Sequence, residues 1–496
     1  MIHYRIDVED APSHLWRVTL SVPRPAAEQR LSLPVWIPGS YMVREFGRHL
    51  SGLRARQGDA PVALRQLDKT TWLAACAGEA ALEVSCLVYA FDTSVRTAFL
   101  DADRGFFNGT SLCLRVEGRE HEPHQISFGQ LPEGWEIATA MPAVEGGAAL
   151  AFGAPDYHEL IDHPFELGRF WRGSFEAAGV PHEFVVAGAW PGFDGERLLA
   201  DARRICEAQI AFWHPQDEPA PFERYVFLLN VVEDGYGGLE HRASTALIAS
   251  RRDLPRRGVS VTQLTDGYVT LLGLISHEYF HSWNVKRLKP REFERLDYGQ
   301  ENYTELLWFF EGFTSYYDDL LLVRAGLIDE ARYLKLVAKN LNGVLATPGR
   351  FVQSVAQSSF DAWVKYYRSD ENTPNATVSY YAKGSLVALA LDLTLRSRGE
   401  GSLDEVMRTL WRDSGGGPIG EEDVERALAQ VAGRSLAEEL HAWVHGTEDV
   451  ALQPLLARVG VAWKTEPLPF AAALGLRLSE GPVTGVQVRA VLRGSA

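Results

Sequence analysis

The chain has 496 residues, of which 46% are hydrophobic and 23% are charged. This composition is typical of a globular protein with two or three domains and a substantial core. Its 65 acidic residues outnumber the 49 basic ones, which gives a formal charge of −16. This balance argues against nucleic acid as a partner, because the phosphates would be repelled, and it suits a cationic ligand such as a peptide amine.

The cysteines and the start of the chain predict a cytoplasmic protein. Residues 1–9 alternate as a strand with no secretory signal before them, and no apolar run approaches the length of a membrane span. We therefore expect no membrane partner. The cysteines form no Cys-x-x-Cys pair, which predicts free thiols rather than a disulfide framework or a zinc site: Cys76, Cys86, Cys113 and Cys206.

Residues 1–165 are predicted to form an N-terminal antiparallel β domain. Three segments alternate or run apolar, with Gly and Pro between them: residues 17–22, 81–89 and 112–116. No metal-ligand spacing occurs in this part of the sequence. We therefore expect the domain to frame the substrate rather than to carry the chemistry.

Residues 166–260 are predicted to contain a mixed β-sheet with one helix. Strands are expected at 183–187, 224–232 and 246–249, because these short runs are rich in β-branched and aromatic residues. The helix is expected at 195–212. This part of the chain therefore combines strands and a helix, unlike the region before it.

The most informative motif is His-Glu-Tyr-Phe-His at residues 277–281. On a helix, positions i and i+4 lie one turn apart on the same face, so His277 and His281 can hold one Zn²⁺ with Glu278 beside it. The preceding apolar run opens after Thr265, which fits a helix cap. The motif also occurs by chance, so the residues that follow it must show whether it binds a metal.

A hydrolytic zinc site needs a third protein ligand and leaves its fourth position to water. A third histidine in the His-x-x-Gly-x-x-His pattern is excluded, because the chain has Asn284 and Arg287 at those positions. The alternative is a carboxylate from a second helix. At the best-known spacing this position is Gln300, whose amide is a poor substitute.

Two of the four nearby glutamates lie in a predicted loop. Glu292 and Glu301 belong to the polar stretch 289–302, which is rich in turn residues. A loop of this composition does not favour a buried metal ligand. These two residues are therefore the weaker candidates.

The other two glutamates lie in a predicted helix of aromatic and aliphatic residues, 303–317. A carboxylate inside an apolar run is costly to bury unless it is paired or bound to a metal, which favours Glu311 as the third ligand. Gly312 beside it would let another helix approach. Glu305 is a candidate for orienting a ligand histidine.

Residues 308–314, Trp-Phe-Phe-Glu-Gly-Phe-Thr, resemble the Trp-x-x-Glu-Gly-Phe segment of the gluzincin aminopeptidases. The long loop before this segment, together with residues 36–46, 88–96 and 104–109, resembles the M61 glycyl aminopeptidase family rather than its larger M1 relatives. The resemblance implies a multidomain α+β fold. Residues 166–465 would then form a thermolysin-like zinc metallopeptidase domain with a mixed β lobe and a mostly helical lobe.

Residues 236–241, Tyr-Gly-Gly-Leu-Glu-His, resemble the Gly-x-Met-Glu-Asn exopeptidase strand of M1 enzymes. The resemblance implies that Glu240 binds the free α-amine of the substrate. It also implies that an edge strand containing Gly237 and Gly238 aligns the substrate backbone. The alternative is an ordinary Gly-rich strand end, and two positions depart from the pattern: Leu239 and His241.

Residues 379–384, Ser-Tyr-Tyr-Ala-Lys-Gly, resemble the Tyr-x-Lys-Gly signature, whose tyrosine donates to the oxyanion. The alignment gives this role to Tyr381, with Tyr380 as the alternative. A packing role for the tyrosine is the competing interpretation. Beyond the zinc helices, the region 262–465 is predicted to contain helices at 330–345, 384–397, 403–412 and 421–432.

The last region, 466–496, contains two predicted strands, 473–478 and 485–492. It resembles the opening of a PDZ module, but a whole PDZ domain needs a longer chain. A two-stranded hairpin is marginal in isolation, so we expect it to pack on the catalytic domain or on a partner.

Together these features predict an aminopeptidase with one Zn²⁺ per chain, which acts on peptides that have a free N-terminus. Glu278 would move a proton from water to the leaving amine, Tyr381 would donate to the oxyanion and Glu240 would hold the ammonium. The resemblance implies a preference for small residues such as glycine or alanine. The alternatives are a zinc endopeptidase using the same site and a non-catalytic PDZ-type peptide-binding scaffold. The expected metal ligands are His277, His281 and Glu311.

Overall fold

The computed structural model describes residues 1–144, 150–216, 218–260, 263–481 and 483–495. The chain divides into two compact units. The division falls inside one helix, between Tyr279 and Phe280. The first unit comprises Met1–Arg204, Ala220–Tyr279 and Asp297–Glu301, and the second comprises Ile205–Pro219, Phe280–Leu296 and Asn302–Ala496.

The strands are concentrated in the first unit. In chain order they are β1 (Ile2–Asp10), β2 (Leu15–Val22), β3 (Glu28–Ser32), β4 (Leu50–Gln57), β5 (Ala60–Val62), β6 (Leu64–Gln66), β7 (Thr71–Ala75), β8 (Leu82–Tyr89), β9 (Ala98–Leu100), β10 (Arg104–Phe107), β11 (Arg115–Val116), β12 (His124–Phe128), β13 (Glu136–Ala138), β14 (Ala151–Ala154), β15 (Phe165–Gly168), β16 (Phe170–Ala177), β17 (Val180–Ala187), β18 (Tyr225–Val232), β19 (Tyr236–Glu240), β20 (Ser244–Ser250), β21 (Lys289–Pro290), β22 (Pro418–Ile419), β23 (Leu476–Gly481) and β24 (Gly485–Val491).

Most helices belong to the second unit. In chain order they are α1 (Gly109–Leu112), α2 (Tyr157–Ile161), α3 (Gly195–Trp213), α4 (Asp266–Phe280), α5 (Leu307–Phe310), α6 (Gly312–Arg324), α7 (Glu330–Leu345), α8 (Val355–Phe360), α9 (Thr373–Ala376), α10 (Tyr380–Arg398), α11 (Leu403–Ser414), α12 (Glu421–Ala432), α13 (Ala437–Val444), α14 (Leu452–Arg458) and α15 (Phe470–Ala473). The protein is therefore a multidomain α+β protein with a β-rich N-terminal part and a helical part.

The described residues of the N-terminal part form three sheets. Their strand orders are β14-β12-β1-β2-β8-β4-β5, β13-β15-β10-β9 and β11-β3-β7-β6. Buried and partly exposed residues alternate along β2 and β8, so each strand turns one face to the core. The predicted strands at 17–22 and 81–89 are confirmed as β2 and β8.

Two expectations for this part are wrong in detail. Of the predicted strand at 112–116, Leu112 ends helix α1 and only Arg115–Val116 pair with a neighbouring strand, as β11. The domain is also not purely antiparallel, because β1 pairs with β12 in parallel. A parallel neighbour requires a long crossover, and more than a hundred residues separate these two strands.

A separate five-stranded sheet has the order β16-β17-β18-β20-β19. Strands β17, β18 and β20 are parallel neighbours, whereas β16 and β19 pair antiparallel at the two edges. The predicted strands and the helix at 195–212 are confirmed as β17, β18, β20 and α3. The mixed sheet therefore places β19 on an edge.

The predicted helices at 330–345 and 421–432 coincide with α7 and α12. Helix α10 begins at Tyr380, earlier than expected, because the Ser379 side chain caps it by accepting from the Ala382 amide. The predicted helix at 303–317 begins only at Leu307. It is interrupted at Glu311, which lies between α5 and α6.

The C-terminal region forms an antiparallel hairpin of β23 and β24. The first predicted strand, 473–478, starts only at Leu476, because α15 ends at Ala473 and Gly475 then turns the chain with a φ of +68°. The PDZ-like character of this region stays a prediction. No helix in the described part of the chain is long and apolar enough to cross a membrane.

Candidate active site

Helix α4 carries the His-Glu-x-x-His motif and is fixed at both ends. At its start, Thr265 Oγ1 accepts a hydrogen bond from the Tyr268 amide at 3.1 Å, as the predicted cap requires. Near its end, the Tyr279 hydroxyl donates to His182 Nε2 at 2.8 Å, while His182 Nδ1 donates to the Val180 carbonyl. Burial lowers the pKa of His182 to about 4, which keeps this ring neutral.

The structure brings the three expected metal ligands together. His277, His281 and Glu311 each offer one ligand atom, and these atoms all lie within 4.8 Å of one another. His281 and Glu311 are buried, with Nε2 of the histidine 3.1 Å from Oε2 of the glutamate. Two imidazoles and one carboxylate are the donor set of many hydrolytic zinc sites, so these residues fit a divalent metal ion.

Asn284 orients both His281 and the segment around Glu311. Nδ1 of His281 donates to the Asn284 carbonyl at 2.7 Å, which leaves Nε2 directed at Glu311. The Asn284 side-chain amide donates to the Phe310 carbonyl and to Thr314 Oγ1, both at 3.1 Å. Sequence reasoning used Asn284 only to exclude a third histidine and missed this role.

The remaining glutamates of the sequence analysis lie elsewhere. Within the described residues, neither group of side chains that could hold a metal includes Glu292, Glu301 or Glu305. Glu305 is exposed and precedes α5, so the expectation that it orients a ligand histidine is wrong. The backbone carbonyl of Asn284 makes that contact instead.

Glu278 and Glu240 form a second, overlapping group with His281. One ligand atom from each of the three lies within 4.8 Å of the others, and all three residues are buried. The backbone of β19 lies against Glu278, because a Cβ on Gly238 would collide with its carboxylate. Gly237, the neighbouring residue on this edge strand, has a φ of +156°.

Glu240 ends β19 and is only 4% exposed. In the described part of the chain, its Oε1 atom has no hydrogen-bond partner. A buried carboxylate is costly unless a cation or a donor satisfies it, so this atom is suited to a ligand cation. Gly39 lies directly against the carboxylate, and a Cβ there would be 2.5 Å from Oε1.

Arg96, at the end of the segment 88–96, contacts strand β19. Its Nη2 atom donates to the Gly238 carbonyl at 2.9 Å, which fixes the middle of β19. Residues separated by more than a hundred positions therefore meet at this strand. A motif search along the chain carries no signal for such a contact.

Tyr381 lies in the first turn of α10 and lines a cavity of about 320 Å³. Burial, with a smaller contribution from the nearby Glu311 carboxylate, raises the pKa of Tyr381 well above its usual value. The hydroxyl is protonated at neutral pH, as any tyrosine is, and can donate a hydrogen bond. Tyr380 is fully buried and stacks on the Tyr381 ring at 4.7 Å, as a packing residue does.

Two glycines allow α10 to approach α6. A Cβ on Gly312 would lie 2.6 Å from Cα of Gly384, and a Cβ on Gly384 would lie 2.6 Å from the Trp308 carbonyl. The expectation that Gly312 admits another helix is confirmed. The Lys383 side chain, in the same segment, donates to the Glu448 carbonyl at 3.1 Å.

Comparison with known proteins gives two family matches and a set of similar structures. Residues 3–169 match the Peptidase M61 N-terminal domain, and residues 270–387 match the M61 glycyl aminopeptidase. An aminopeptidase N family protein from Idiomarina loihiensis is 40% identical, with a TM-score of 0.94 over 100% of this chain and 86% of that one. A search of curated protein sequences found no match.

Two more distant structures share the fold. An M1 zinc metallopeptidase mutant from Deinococcus radiodurans, bound to a Tyr-Ser-Ala substrate, is 13% identical with a TM-score of 0.54, covering 91% of this chain and 94% of that one. Aminopeptidase A from Legionella pneumophila, in complex with aspartic acid, is 13% identical with a TM-score of 0.52. The match covers 89% of this chain and 48% of that one.

The fold, the ligand cluster and these matches define a class of protein, the metallo-aminopeptidases, which are hydrolases. Within that class, the chain belongs to the M61 glycyl aminopeptidase family.

Proposed function

We propose that the protein is a zinc-dependent aminopeptidase that removes small amino-terminal residues, glycine or alanine, from peptides. One Zn²⁺ per chain would be held by His277, His281 and Glu311. The observation that carries this proposal is the approach of their three ligand atoms to within 4.8 Å of one another. The preference for small residues is supported by the family alone.

Zinc, when bound, supplies a Lewis acid that polarises the scissile carbonyl and acidifies water. Glu278 would take the proton from the attacking water and pass it to the leaving amine, and its position against β19 supports this role. Tyr381 would donate a hydrogen bond to the developing oxyanion, because a tyrosine hydroxyl carries its proton at neutral pH.

Glu240 would bind the free α-amine of the substrate. The support is its buried Oε1 atom, which has no hydrogen-bond partner among the described residues. The edge position of β19 leaves one side of the strand for an extended peptide, and Gly237 and Gly238 would let the substrate backbone approach closely. If Glu240 binds the α-ammonium group of the substrate, the peptide bond that is cleaved lies one residue from the amino terminus.

The experiment compares a peptide with a free amino terminus and the same peptide with an acetylated one, using the zinc-loaded protein. We expect cleavage of the free peptide alone. Glu278→Gln should lower kcat by about 10²- to 10⁴-fold, because the general base is lost. Glu305→Gln is the matched control, since this glutamate is exposed, and it should leave kcat unchanged.

Two other outcomes would favour the alternatives. Equal cleavage of the free and acetylated peptides would favour a zinc endopeptidase. Peptide binding without cleavage, together with full retention of that binding in Glu278→Gln, would favour a scaffold built around residues 466–496.

We further propose that the chain is divided into an N-terminal β domain at 1–165, a thermolysin-like domain at 166–465 and a PDZ-like segment at 466–496. The PDZ-like segment contacts a peptide or a protein. The protein acts in the cytoplasm.

A further inference from the structure

The outer face of a four-stranded sheet carries an arginine-rich cleft of about 630 Å³, far along the sequence from the metal ligands. The sheet has the order β11-β3-β7-β6. Its register places Arg30 of β3 opposite Leu73 of β7, and Leu73 opposite Arg65 of β6. These three residues therefore form one row across the sheet. Leu31 and Trp72 alternate onto the opposite, buried face, so the row faces solvent.

A buried amide holds the floor of the cleft in place. Gln29 is 2% exposed, and its Oε1 atom accepts from the Ala26 amide at 3.2 Å. Its Nε2 atom donates to the carbonyls of Arg30 and Glu117 at 3.1 and 3.3 Å. The turn before β3, strand β3 and the end of β11 are thereby joined through one side chain.

The Arg119 side chain holds the turn at one side of the cleft. Arg119 donates to both carboxylate oxygens of Glu122, at 2.6 and 2.7 Å, and to the Pro23 carbonyl at 2.7 Å. This fixes the turn that presents Arg24. The backbone that forms the cleft is therefore held in place before a ligand binds.

The lining of the cleft is cationic in a chain that is acidic overall. Four arginines line it against two glutamates, although the whole chain has a formal charge of −16. One of those glutamates, Glu117, already pairs with Arg115 at 3.1 Å. Within the described residues, no carboxylate forms an ion pair with Arg24, Arg30 or Arg65. Three guanidinium groups are thus left to bind an anion.

Two of these groups can act on one ligand. Arg30 and Arg65 are separated by two strand spacings, so their Cα atoms are about 10 Å apart. Guanidinium groups bind carboxylates and phosphates through paired hydrogen bonds, so Arg30 and Arg65 can each hold one anionic group of the same ligand. No aromatic side chain lines the cleft among the described residues, so it offers no platform for a nucleobase.

We propose that this cleft binds an extended acidic polypeptide segment that carries at least two carboxylates. Side chains on one face of an extended peptide repeat about every 7 Å, a distance that the long arginine side chains can match. The apolar contacts at Pro25 and Leu73 would accommodate the backbone of the segment. This binding site is separate from the proposed peptidase chemistry.

The test measures binding of a fluorescent, N-acetylated hexaglutamate peptide by fluorescence anisotropy. Acetylation prevents shortening by an aminopeptidase. We expect binding that weakens with added salt, and about a tenfold or greater loss of affinity in the double variant Arg30→Gln/Arg65→Gln. The control is Arg48→Gln/Arg54→Gln, which removes the same charge from two exposed arginines outside the cleft. It should change the affinity less than about twofold.

Three results would overturn the proposal. One is the absence of binding by the unmodified protein, and another is an equal loss of affinity in both double variants, which would mean attraction by net charge alone. The third is binding of inorganic tripolyphosphate that depends on Arg30 and Arg65 without binding of the peptide. Thermal unfolding midpoints establish that both double variants are folded.

Discussion

The position of the Glu240 carboxylate depends on Gly39, the glycine that lies against it. Gly39 has a φ of +93°, and a Cβ there would lie 2.5 Å from the Glu240 carboxylate. Gly39→Ala should therefore displace that carboxylate and raise KM for peptides with a free amine by about tenfold or more, since a charge-assisted contact is lost. Steady-state kinetics on a short glycyl peptide measures the change.

Gly118→Ala is the matched control for backbone strain. Gly118 has a similar φ of +84°, but a Cβ there meets nothing within 4 Å. Both variants should lose about 1–2 kcal/mol of stability from the left-handed conformation, whereas only Gly39→Ala should change KM. An equal change of KM in the two variants would show that strain, and not contact with Glu240, is responsible.

The residue types of the site were predictable, but their supports were not. The motif spacing identified His277 and His281, and the cost of burying a carboxylate in an apolar run singled out Glu311. The support from Asn284 depends on the path of the chain after the second histidine. Sequence periodicity does not encode that path.

At the scale of elements, the crossing of α6 and α10 depends on Gly312 and Gly384. Gly384→Ala would place a methyl group 2.6 Å from the Trp308 carbonyl of α5 and 3.0 Å from Cα of Gly312 in α6, so α10 must move away from both helices. We expect a loss of about 1–3 kcal/mol in the free energy of unfolding, as for other overpacked sites. Activity should fall with it, because α10 also carries Tyr381.

Gly343→Ala provides the comparison within a helix. Gly343 lies in α7, where a Cβ meets nothing within 4 Å, so alanine should stabilise the protein by about 0.5–1 kcal/mol. Urea unfolding of the two variants gives both values. If the free energy of unfolding of Gly384→Ala equalled that of the unmodified protein, the result would contradict a close approach of the helices at Gly384.

Helix α7 was predicted with the bounds that the structure shows, and its Asp329 cap is adjacent in the sequence. The start of α10 was missed although its Ser379 cap is also adjacent. The parallel pairing of β1 with β12 joins segments more than a hundred residues apart, and nothing local indicates it. The break at Glu311 between α5 and α6 was likewise absent from the hydrophobic pattern.

At the scale of the whole molecule, a buried histidine makes stability depend on pH. Burial lowers the pKa of His182 to about 4, from 6.5 in an unfolded chain. Below pH 6.5 the unfolded state therefore binds a proton that the folded state does not bind until about pH 4. The free energy of unfolding should fall by about 3 kcal/mol across this window, and be fully retained above it.

Chemical unfolding at several pH values between 4 and 7 measures this dependence. His182→Phe removes the titrating group from its aromatic surroundings and should flatten that part of the profile. The control is His121→Gln, an exposed histidine, which should leave the profile unchanged. An unaltered slope in His182→Phe would show that other groups cause the acid sensitivity.

His277, His281 and Glu311 are proposed to hold one metal ion, and anomalous diffraction at the zinc edge, from crystals of the zinc-loaded protein, tests this binding. We expect one peak per chain, about 2.0–2.2 Å from a nitrogen of each histidine and from a carboxylate oxygen of Glu311. A peak coordinated by Glu240 and Glu278, or one out of reach of Glu311, would refute it.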